Sequence, residues 1–451
     1  MLPILTSAQM RDADARAVAG LGVDALIAAA GTAAGLEARR LLGRCYGARV
    51  AVLVGPGLNG ADGRVAAGWL RARGARVDLV SVEDQPRALT GFDLVIDAAF
   101  GLGCSRPYVA PAVAAGTKVL AVDLPSGVDA DTGEVLGAPL RADVTLALGA
   151  FKLAHVTGEA SGLAGELRFS GLGIVDDFVD GVVEDADLTG LVRGARDDHK
   201  WSHAVQALAG SPLMPGAAGL LARGALAGGA SMIRLATRGD VRTLDLPPEV
   251  VRVEAPDVDP RCRAVAAGPG LGPDAGAWLA GPLRSVSVPV VLDADGLDRD
   301  LLTGESGQWL LTPHAGEFAR LTGALLPSDR VSAVRALARD TRCVVLLKGP
   351  MTILADPAGT LRVVRSGTSA LATAGSGDVL TGLIAATIAR GHDALEAGAL
   401  AAHLHGVAGS RLETYAPASE LTAGVDSILH RLRRLEDDAR DDIAADAEQE
   451  R

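Results

Sequence analysis

The sequence predicts an α/β protein built on parallel sheets, and three observations support this. Short, non-alternating runs rich in Val, Leu and Ala recur along the chain, as is typical of strands buried on both faces. Ala-rich segments lie between these runs and fit crossover helices. Glycine turns follow many of the runs, in keeping with the 56 glycines among 451 residues, because glycine allows a tight strand-to-helix turn.

The length of the chain predicts more than one domain. At about 150 residues per domain, 451 residues correspond to two or three. The stretch 176–200, "DDFVDGVVEDADLTGLVRGARDDHK", is acidic and then polar, without a strand of its own. We therefore expect a boundary near residue 190, with domains at 1–190 and 191–435. The charged segment 436–451 then forms a solvated helix end or a frayed tail.

Composition narrows the function classes. The net charge is −12 and the chain has no Lys/Arg-rich run, which argues against nucleic acid as the main partner. The chain contains no run of about 18 uncharged apolar residues, so no membrane span is predicted. The N-terminus acquires charge too early for a signal peptide. The cysteines are far apart and fit small buried residues in a reducing cytoplasm rather than a zinc site or disulfides; they are Cys45, Cys104, Cys262 and Cys343.

The first half carries a glycine-rich turn after its first strong strand. The predicted strands are "RVAVLVG" (49–55), "RVDLVSV" (76–82), "DLVIDAAFG" (93–101) and "KVLAVDLPSG" (118–127). The motif "GPGLNGADG" follows the first of them and leads into a helix that we expect to start near Asp62. Its glycines allow close approach to a phosphate, although the spacing is neither Walker A nor G-x-G-x-x-G. A purely structural turn is the alternative interpretation.

Polar residues follow the other strands of the first half. Asp97 and Asp123 each end a predicted strand, Ser126 follows three residues later, and Lys152 comes after "ADVTLALGA". Each residue alone fits a cap or surface role. Together with Asn59 they are expected at one rim of the sheet, where ligands of open parallel sheets bind. Their oxygen atoms could hold a hard cation or act as acid and base.

From about Leu5 to Val175 the chain resembles the NAD(P)H-hydrate epimerases. The similarity rests on "LTSAQMRDADARA", "AVDLPSGVDADTG" and "ADVTLALGAFK". It implies a Rossmann-like domain that interconverts the C6 epimers of hydrated NADH or NADPH. The family's loop usually reads Asn-Asn-Gly-Gly-Asp-Gly, and here Leu58 replaces the first Asn.

The same resemblance implies site residues. Asn59, Asp97 and Ser126 would contact a potassium ion. We assign proton transfer to Asp123 and Lys152, which is our own interpretation of the strand ends. The expected contacts of the hydrated nucleotide are Leu58, Asn59, Gly60, Ala61, Asp62, Gly101, Leu102, Gly103, Cys104, Ser105, Arg106, Pro107 and Asp123.

The second half contains the sharpest motif, "SALATAGSGDVLTGLIAATIARG". The amides of Gly375, Ser376 and Gly377 would face an anion from a helix N-terminus, where the macrodipole adds positive potential. Asp378 opens the helix and could take a proton from a hydroxyl beside those amides. An N-cap Asp after a turn is the structural alternative.

Further motifs fall at strand ends of the second half. "PVVLDADGL" supplies Asp293 and Asp295, "LLTPHAGEF" places His314 and Glu317 in a loop after a strand, and "VLLKGPMT" puts Lys348 at another strand end. "AAGPGLG" adds a second Gly-Pro-Gly-Leu turn. Because carboxyl ends of parallel strands share one edge, these groups are expected near the glycine motif.

From about His199 to Gly406 the chain resembles the ADP-dependent NAD(P)H-hydrate dehydratases, relatives of ribokinase. "GPGLG", "LDADGL", "TPHAGEF", "LKG" and "ATAGSGD" occur in the family's order. The chain departs from the family at "HKWSHA" (199–204), where His-Lys-Gly is usual, and at Thr368, where Asn is common. The resemblance implies that ADP phosphorylates the hydroxyl of the S hydrate and that elimination of phosphate restores the dihydronicotinamide.

The dehydratase resemblance also implies residue roles. Asp378 would be the base, and Mg²⁺ would screen the phosphate charge; ATP stays open as an alternative donor to ADP. The hydrate would contact Ala217, Gly270, Gly272, His314 and Asp378. ADP or AMP would contact Lys348, Gly349, Pro350, Met351, Thr352, Gly375, Ser376 and Gly377.

The sequence thus predicts a cytoplasmic, two-domain enzyme that repairs hydrated NAD(P)H. Its expected partners are NADHX, NADPHX and ADP, with no nucleic acid and no membrane, and we expect a homo-oligomer. Two alternatives stay open. The second half could be a ribokinase-superfamily kinase of a small molecule such as a vitamin precursor, and the first half a non-catalytic nucleotide-binding module. A kinase would leave a stable phosphorylated product, which separates it from the repair enzyme.

Overall fold

The computed structural model of the chain describes residues 1–175, 177–192, 198–240, 245–284, 286–302, 308–413 and 416–449. It forms two compact units. The N-terminal unit comprises Leu2–Asp180 and Pro327–Val331, and the C-terminal unit comprises Met1, Gly181–Leu326 and Ser332–Arg451. The chain therefore passes from one unit to the other at 180–181, ahead of the expected position near residue 190.

One expectation about this junction is wrong. The stretch predicted to lack a strand holds a short one, Gly181–Val182, followed by the 3-10 helix Asp185–Val192. Leu188 and Leu191 of that helix are buried, so the acidic composition hides an element that packs through two leucines. A strand of two residues carries no periodic signal in sequence.

The described residues of the N-terminal unit form three α-helices and twelve strands. The helices are α1 (Ser7–Leu21), α2 (Val23–Leu42) and α3 (Leu58–Arg71). The strands are β1 (Leu2–Leu5), β2 (Arg49–Val54), β3 (Arg76–Ser81), β4 (Ala88–Leu89), β5 (Leu94–Ala98), β6 (Tyr108–Val109), β7 (Ala112–Val113), β8 (Lys118–Val122), β9 (Gly137–Ala138), β10 (Val144–Leu148), β11 (Phe151–Lys152) and β12 (Glu166–Ser170).

The central sheet of this unit is wholly parallel, as predicted. Its order is β12-β10-β8-β5-β2-β3. β3 lies on one side of β2, and all later strands lie on the other side. The winding direction therefore reverses between β2 and β5, and a ligand crevice is expected at the carboxyl ends of those two strands.

Helix α1 precedes the strands of the central sheet in sequence and packs one face into the N-terminal unit. Thr6 caps the helix in a capping box with Gln9, in which each side chain bonds the other residue's backbone N–H. Met10 and Ala13 are buried, so this face of α1 packs inward. Asp14 follows Ala13 at the boundary between the packed and the open face.

In the remainder of the chain, the described residues form ten strands and seven α-helices. The strands are β13 (Gly181–Val182), β14 (Ala204–Leu208), β15 (Met232–Ala236), β16 (Val250–Arg252), β17 (Ala264–Ala267), β18 (Val290–Leu292), β19 (Leu310–Leu311), β20 (Val344–Leu347), β21 (Thr352–Ala355) and β22 (Leu361–Val364). The helices are α4 (Pro215–Ala227), α5 (Ala275–Leu283), α6 (Ala315–Thr322), α7 (Arg330–Thr341), α8 (Ser376–Ala389), α9 (Ala394–Gly409) and α10 (Leu421–Gln449).

These strands form one sheet in the C-terminal unit, in the order β13-β22-β21-β20-β19-β18-β17-β14-β15-β16. The run from β20 to β16 is parallel, whereas β21 pairs antiparallel with both β20 and β22. The reversal of winding lies between β14 and β17. The carboxyl ends of β17, β18, β19 and β20 therefore meet along one edge.

Helices α4 and α8 cover this sheet in close contact. A Cβ at Gly224 would collide with the carbonyl oxygen of Val379, and one at Gly382 would collide with that of Leu221. Glycine at these two positions lets the helix backbones touch, which fixes the height of the α8 N-terminus above the sheet.

The charged C-terminal segment is helical, since α10 continues to Gln449; residues 450 and 451 lie outside the described residues. Considered singly, no described helix is long and apolar enough to cross a membrane. Only α1 and α2 taken together meet that requirement, and the pair is bent by 112°.

Candidate functional sites

A cavity of about 440 Å³ lies in the N-terminal unit at the crevice between β2 and β5. Helix α1 closes one side of it with Met10, Arg11 and Asp14. The sequence-predicted residues that line it are Leu58, Asn59, Asp62, Gly101, Leu102, Gly103, Asp123 and Lys152. Gly60, Ala61, Cys104, Ser105, Arg106 and Pro107, also predicted, are not among the lining residues.

The glycine-rich turn is tighter than expected. Helix α3 begins at Leu58 and not near Asp62, so Asn59 and Asp62 project from its first two turns. A Cβ at Gly55 would collide with the Ala99 carbonyl, and one at Gly60 with the Gly55 carbonyl. These glycines are required for backbone packing at the strand ends, which is the structural interpretation of the motif.

Leu58 lies at the mouth of the cavity. Its side chain is 59% exposed and lines the cavity. Leu58, where the family usually has Asn, therefore places an apolar side chain at the rim of the cavity. The polar groups inside the cavity are unchanged by this difference.

Asp123 and Lys152 form a buried ion pair at the floor of the cavity. Lys152 Nζ donates to Asp123 Oδ1 and also to the carbonyl oxygens of Leu148 at 2.7 Å and Ala150 at 3.0 Å. Lys152 is 1% exposed. An ammonium has three N–H donors, so all three have acceptors here.

Asp123 has a strained backbone. Its φ is 67°, in the left-handed region that a non-glycine residue occupies at a cost of about 1–3 kcal/mol. His155 Nδ1 accepts a hydrogen bond from Lys152 N at 2.9 Å, so its Nε2 carries the proton and donates to the Asp123 carbonyl at 2.7 Å. His155 thereby holds the backbone of both members of the ion pair, a role that no sequence motif indicates.

Two more carboxyl groups face the cavity. Asp62 is 8% exposed, and burial, followed by the negative charges of Asp123 and Asp14, raises its pKa to about 8. Burial also raises the pKa of Asp14, against a lowering effect from Lys152 and with a further rise from Asp123. Asp14 was missed in sequence because it lies on a distant helix that only the fold brings here.

Asp97 and Ser126 lie below the cavity and do not line it. Both are 0% exposed. Ser126 donates to Asp97 through its hydroxyl at 2.6 Å and its backbone N–H at 2.8 Å. Burial raises the pKa of Asp97 although these hydrogen bonds lower it. Asn59, which does line the cavity, has a side-chain Nδ2 with no hydrogen-bond partner among the described residues.

The donor chemistry of these three residues fits a potassium ion. Hard cations prefer carboxylate, amide and hydroxyl oxygens, which Asp97, Asn59 and Ser126 supply. The Asp97 side chain is buried and accepts hydrogen bonds from Ser126 and from Ala99 N. The bonds that join Asp97 to Ser126 would have to share their oxygens with the ion.

In the C-terminal unit, the predicted glycine motif forms the start of α8. Gly375 is the N-cap with φ 89°, and the helix runs from Ser376 to Ala389. Ser376 Oγ donates to Leu371 O at 2.7 Å, and His405 Nε2 lies 3.0 Å from Ser376 O. His405 is 5% exposed and burial lowers its pKa to about 4, so it is neutral and braces the turn as a donor.

An ion pair lies directly beneath this helix start. Lys348 Nζ is 2.7 Å from Asp293 Oδ1 and 3.6 Å from Glu317 Oε2. Burial disfavours the ammonium, but Asp293 and Glu317 outweigh it and raise the pKa of Lys348. Thr381 Oγ1, on α8, donates to Asp293 Oδ2 at 2.8 Å. A Cβ on Gly377 would lie 3.6 Å from both the Lys348 ammonium and Asp293 Oδ2, so only glycine leaves the pair open from above.

Asp378 lies in the first turn of α8 and is half-buried. Burial, followed by the negative charges of Asp293 and Asp295, raises its pKa to about 7, while Lys348 opposes the rise. A carboxyl with this pKa changes its charge near neutral pH. It is suited to accept a proton next to amides that stabilise negative charge.

The remaining predicted residues occupy the same sheet edge. Gly270 packs against Ala217, since an added Cβ would lie 2.7 Å from the Ala217 Cβ. Gly272 N donates to Asp295 Oδ2 at 2.8 Å. Gly349, Pro350 and Met351 form the turn between β20 and β21, and Thr352 begins β21.

His314 lies in the loop after β19, as predicted, whereas Glu317 does not. His314 is the N-cap of α6, and Glu317 lies in its first turn as part of a capping box. The His314 side chain is 58% exposed while that of Glu317 is 9% exposed. His314 is thus open to a ligand, whereas Glu317 faces Lys348. The capping signal at His314 was hidden because His is not a usual N-cap residue.

The described residues contain no group of three or more His, Cys, Asp or Glu side chains able to hold a metal ion. Both oxygens of Asp293 already accept hydrogen bonds. A divalent cation here would therefore depend on phosphate oxygens for most of its ligands, which is usual for Mg²⁺.

Comparison with known proteins gives one consistent result. The model of the NAD(P)H-hydrate dehydratase family matches residues 205–430, and that of the YjeF-related protein N-terminus matches 23–90 and 80–154. A bifunctional NAD(P)H-hydrate repair enzyme of Mycobacterium tuberculosis is 38% identical over 429 residues, which cover 86% of this chain and 90% of the relative.

Solved structures resemble the second half. An ADP/ATP-dependent NAD(P)H-hydrate dehydratase from Bacillus subtilis, co-crystallised with ATP and Mg²⁺, is 29% identical with a TM-score of 0.51, covering 55% of this chain and 97% of that one. A ribokinase-like superfamily protein from Enterococcus faecalis, 20% identical with a TM-score of 0.50, covers 57% of this chain and 98% of its own and shares the fold. The chain belongs to the family of bifunctional NAD(P)H-hydrate repair enzymes.

Proposed function

We propose that this chain repairs hydrated NADH and NADPH in two steps, an epimerisation in the N-terminal unit and a nucleotide-driven dehydration in the C-terminal unit. Family membership supports both steps. The observation that carries the proposal is Asp378, whose pKa is raised to about 7 at the glycine-rich start of α8. That arrangement suits phosphoryl transfer to a hydroxyl better than simple nucleotide binding.

In the dehydration, Asp378 accepts the proton of the substrate hydroxyl as the hydroxyl oxygen attacks the terminal phosphorus of the nucleotide. The amides of Gly375, Ser376 and Gly377 stabilise the charge on the transferred group. Lys348, held by Asp293 and Glu317, supplies a fixed positive charge beneath it. Phosphate then leaves C6 in place of hydroxide and a proton is lost from C5, which restores the C5–C6 double bond of the dihydronicotinamide ring.

The proposed ligands bind at the carboxyl ends of the strands of the two sheets. The hydrate would contact Ala217, Gly270, Gly272 and His314, and the nucleotide would contact Lys348–Thr352. Mg²⁺, bound with the nucleotide phosphates, would neutralise part of their charge. In the N-terminal unit, the hydrated nucleotide would enter the 440 Å³ cavity beside Asn59 and Asp123, and potassium would bind at Asn59, Asp97 and Ser126.

ADP is the donor that we propose, with ATP as the other candidate. The Bacillus subtilis relative is described as dependent on either nucleotide. Initial rates on purified S hydrate with each donor, at equal concentration and with Mg²⁺, decide between them.

A mixed pool of R and S hydrates tests the whole proposal. With ADP and Mg²⁺, the protein should convert the entire pool to NADH, followed by absorbance of the reduced nicotinamide, and release AMP and phosphate in equal amounts. Conversion of only the S fraction would remove the epimerase from the proposal. A stable phosphorylated product without NADH would instead favour the small-molecule kinase.

Two further predictions concern the cellular compartment and the oligomeric state. The four free, buried cysteines, Cys45, Cys104, Cys262 and Cys343, support a reducing cytoplasm as the compartment. The homo-oligomer stays a prediction, and sedimentation of the purified chain measures it.

A further inference from the structure

The cavity of the N-terminal unit contains an acidic pair to which no chemical step has been assigned. Asp14 reaches it from α1 and Asp62 from α3, and both line the same 440 Å³ space as Asp123 and Lys152. Asp62 is 8% exposed and Asp14 half-buried. Both come from helices, whereas Asp123 follows the strand β8 and Lys152 lies in β11.

Lys152 is poorly placed to move a proton. Its three N–H groups are used by Asp123 and by the carbonyls of Leu148 and Ala150, and it is 1% exposed. Asp123 Oδ1 accepts from both Lys152 and Leu148 N. This ion pair is better suited to hold the floor of the cavity than to exchange protons with a ligand.

A separate observation indicates a polar ligand in the same space. Asn59 lines the cavity, is only 9% exposed, and its Nδ2 has no hydrogen-bond acceptor among the described residues. A buried amide donor without a partner costs free energy unless a ligand or water supplies an acceptor. A hydroxyl or carboxamide oxygen of the substrate would satisfy it.

We propose that Asp62 and Asp14 are the acid and the base that exchange water at C6 of the hydrate, while Asp123 and Lys152 position them. This inference rests on the proposed epimerase function. Asp62 donates its proton to the C6 hydroxyl, the C6–O bond breaks, and water leaves with the bonding pair as the ring nitrogen forms a double bond to C6. Water then adds to the other face, Asp14 takes its proton, and the nitrogen regains its lone pair. A proton passes from Asp14 back to Asp62 through solvent, and no oxidant or reductant is consumed.

The surrounding charges suit these two roles. Asp62 faces the negative charges of Asp123 and Asp14, and with its burial they keep it protonated near neutral pH. Asp14 faces Lys152, whose positive charge favours its ionised form, and Asp123, which opposes it; Arg11 lies on the same helix at the cavity. Asp62 therefore enters the reaction as the acid, and the charge of Lys152 favours the ionised form that Asp14 needs as the base.

The test measures interconversion of purified R and S hydrates by the full chain without ADP, separated by chromatography. Asp62→Asn and Asp14→Asn should each lower kcat at least about a hundredfold, the usual lower bound for acid–base catalysis, with little change in KM. Asp12→Asn is the matched control, because Asp12 lies on α1 outside this cavity and should leave the rate unchanged. Addition of ADP then checks that every variant still dehydrates S hydrate at the wild-type rate.

The pH profile adds a readout that a structural role would not move. Epimerisation by the wild type should fall above about pH 8, as Asp62 loses its proton. Asp14→Asn removes a negative charge, so the residual activity should fall at a lower pH. A loss of less than about a hundredfold in either Asn variant, or an unshifted alkaline limb, overturns the inference. If the wild type itself fails to interconvert the epimers, the proposed epimerase fails instead.

Discussion

At the scale of single residues, Asp123 shows how one side chain serves stability and chemistry together. Its left-handed backbone is held by three groups, Lys152, His155 and Leu146, the last through the bond from Asp123 N at 2.8 Å. The Lys152 ammonium is nearly inaccessible to water. Removal of either charge leaves the other without compensation in a buried position, so substitutions here change folding as well as activity.

A double-mutant cycle measures that coupling. Asp123→Ala should lower the free energy of unfolding by about 3–5 kcal/mol, because it leaves Lys152 buried and unpaired. Asp123→Ala combined with Lys152→Met should cost less than the sum of the two single substitutions. Urea denaturation of the four proteins gives the numbers. Simple additivity would mean that the two side chains are not coupled.

Dehydration should depend on the protonation state of Asp378. A base must be ionised, so kcat/KM should rise about tenfold per pH unit below pH 7 and level off above it, since the pKa of Asp378 is raised to about 7. Asp295 is one cause of that rise, and Asp295→Asn should therefore move the acid limb to lower pH. Asp300→Asn, at an exposed position of the next turn, is the control and should leave the profile unchanged.

Single residues were predictable where a local motif fixes the backbone. Asp378, Asp293 and Lys348 follow directly from a glycine turn or a strand end, and the structure brings them to one edge. Asp14 and His405 were not, because an isolated Asp or His on a helix has no local signature of function. The burial of Lys152 was hidden too, since its three acceptors come from the folded chain.

At the scale of elements, the α4–α8 contact sets the geometry of the phosphate-binding turn. Gly224→Ala should lower the free energy of unfolding by about 1–3 kcal/mol, because the new Cβ collides with the Val379 carbonyl of α8. It should also slow dehydration, since α8 must shift to relieve the collision. Thermal denaturation and kcat/KM measure the two effects.

Gly216→Ala, in the same helix, is the matched control. Nothing lies within 4 Å of the added Cβ, so stability should be unchanged or higher by up to about 1 kcal/mol. A Gly224→Ala protein as stable and active as Gly216→Ala would show that the close approach of α4 to α8 is not required.

Strands were more predictable than the ends of helices. The runs at 49–55, 76–82, 93–101 and 118–127 all became β-strands, because burial on both faces demands continuous apolar residues. Helix α3 starts at Leu58, four residues ahead of Asp62. The glycines of the motif predict a turn, but the close packing of Gly60 against Gly55 allows this segment to be the first turn of the helix. The capping role of His314 was not predicted, because His is not a usual N-cap residue.

At the scale of the whole molecule, the two reactions should be separable within one chain. Asp378→Asn should abolish NADH formation from a mixed pool with ADP yet leave R and S interconversion at the wild-type rate, because its site belongs to the C-terminal unit alone. Chromatography of the epimers beside absorbance of NADH measures both in one sample. Loss of interconversion in this variant would contradict independent sites.

The segment Pro327–Val331 limits how this chain can be divided. It comes late in sequence but belongs to the N-terminal unit, where Ser328 O accepts from Gly158 N at 3.1 Å and Thr157 Oγ1 lies 3.3 Å from Asp329 Oδ1. A protein truncated at Asp180 would keep every strand of the first sheet but lose these partners. An N-terminal fragment that ends at Asp180 would therefore leave Gly158 N and Thr157 Oγ1 without the acceptors that this late segment supplies.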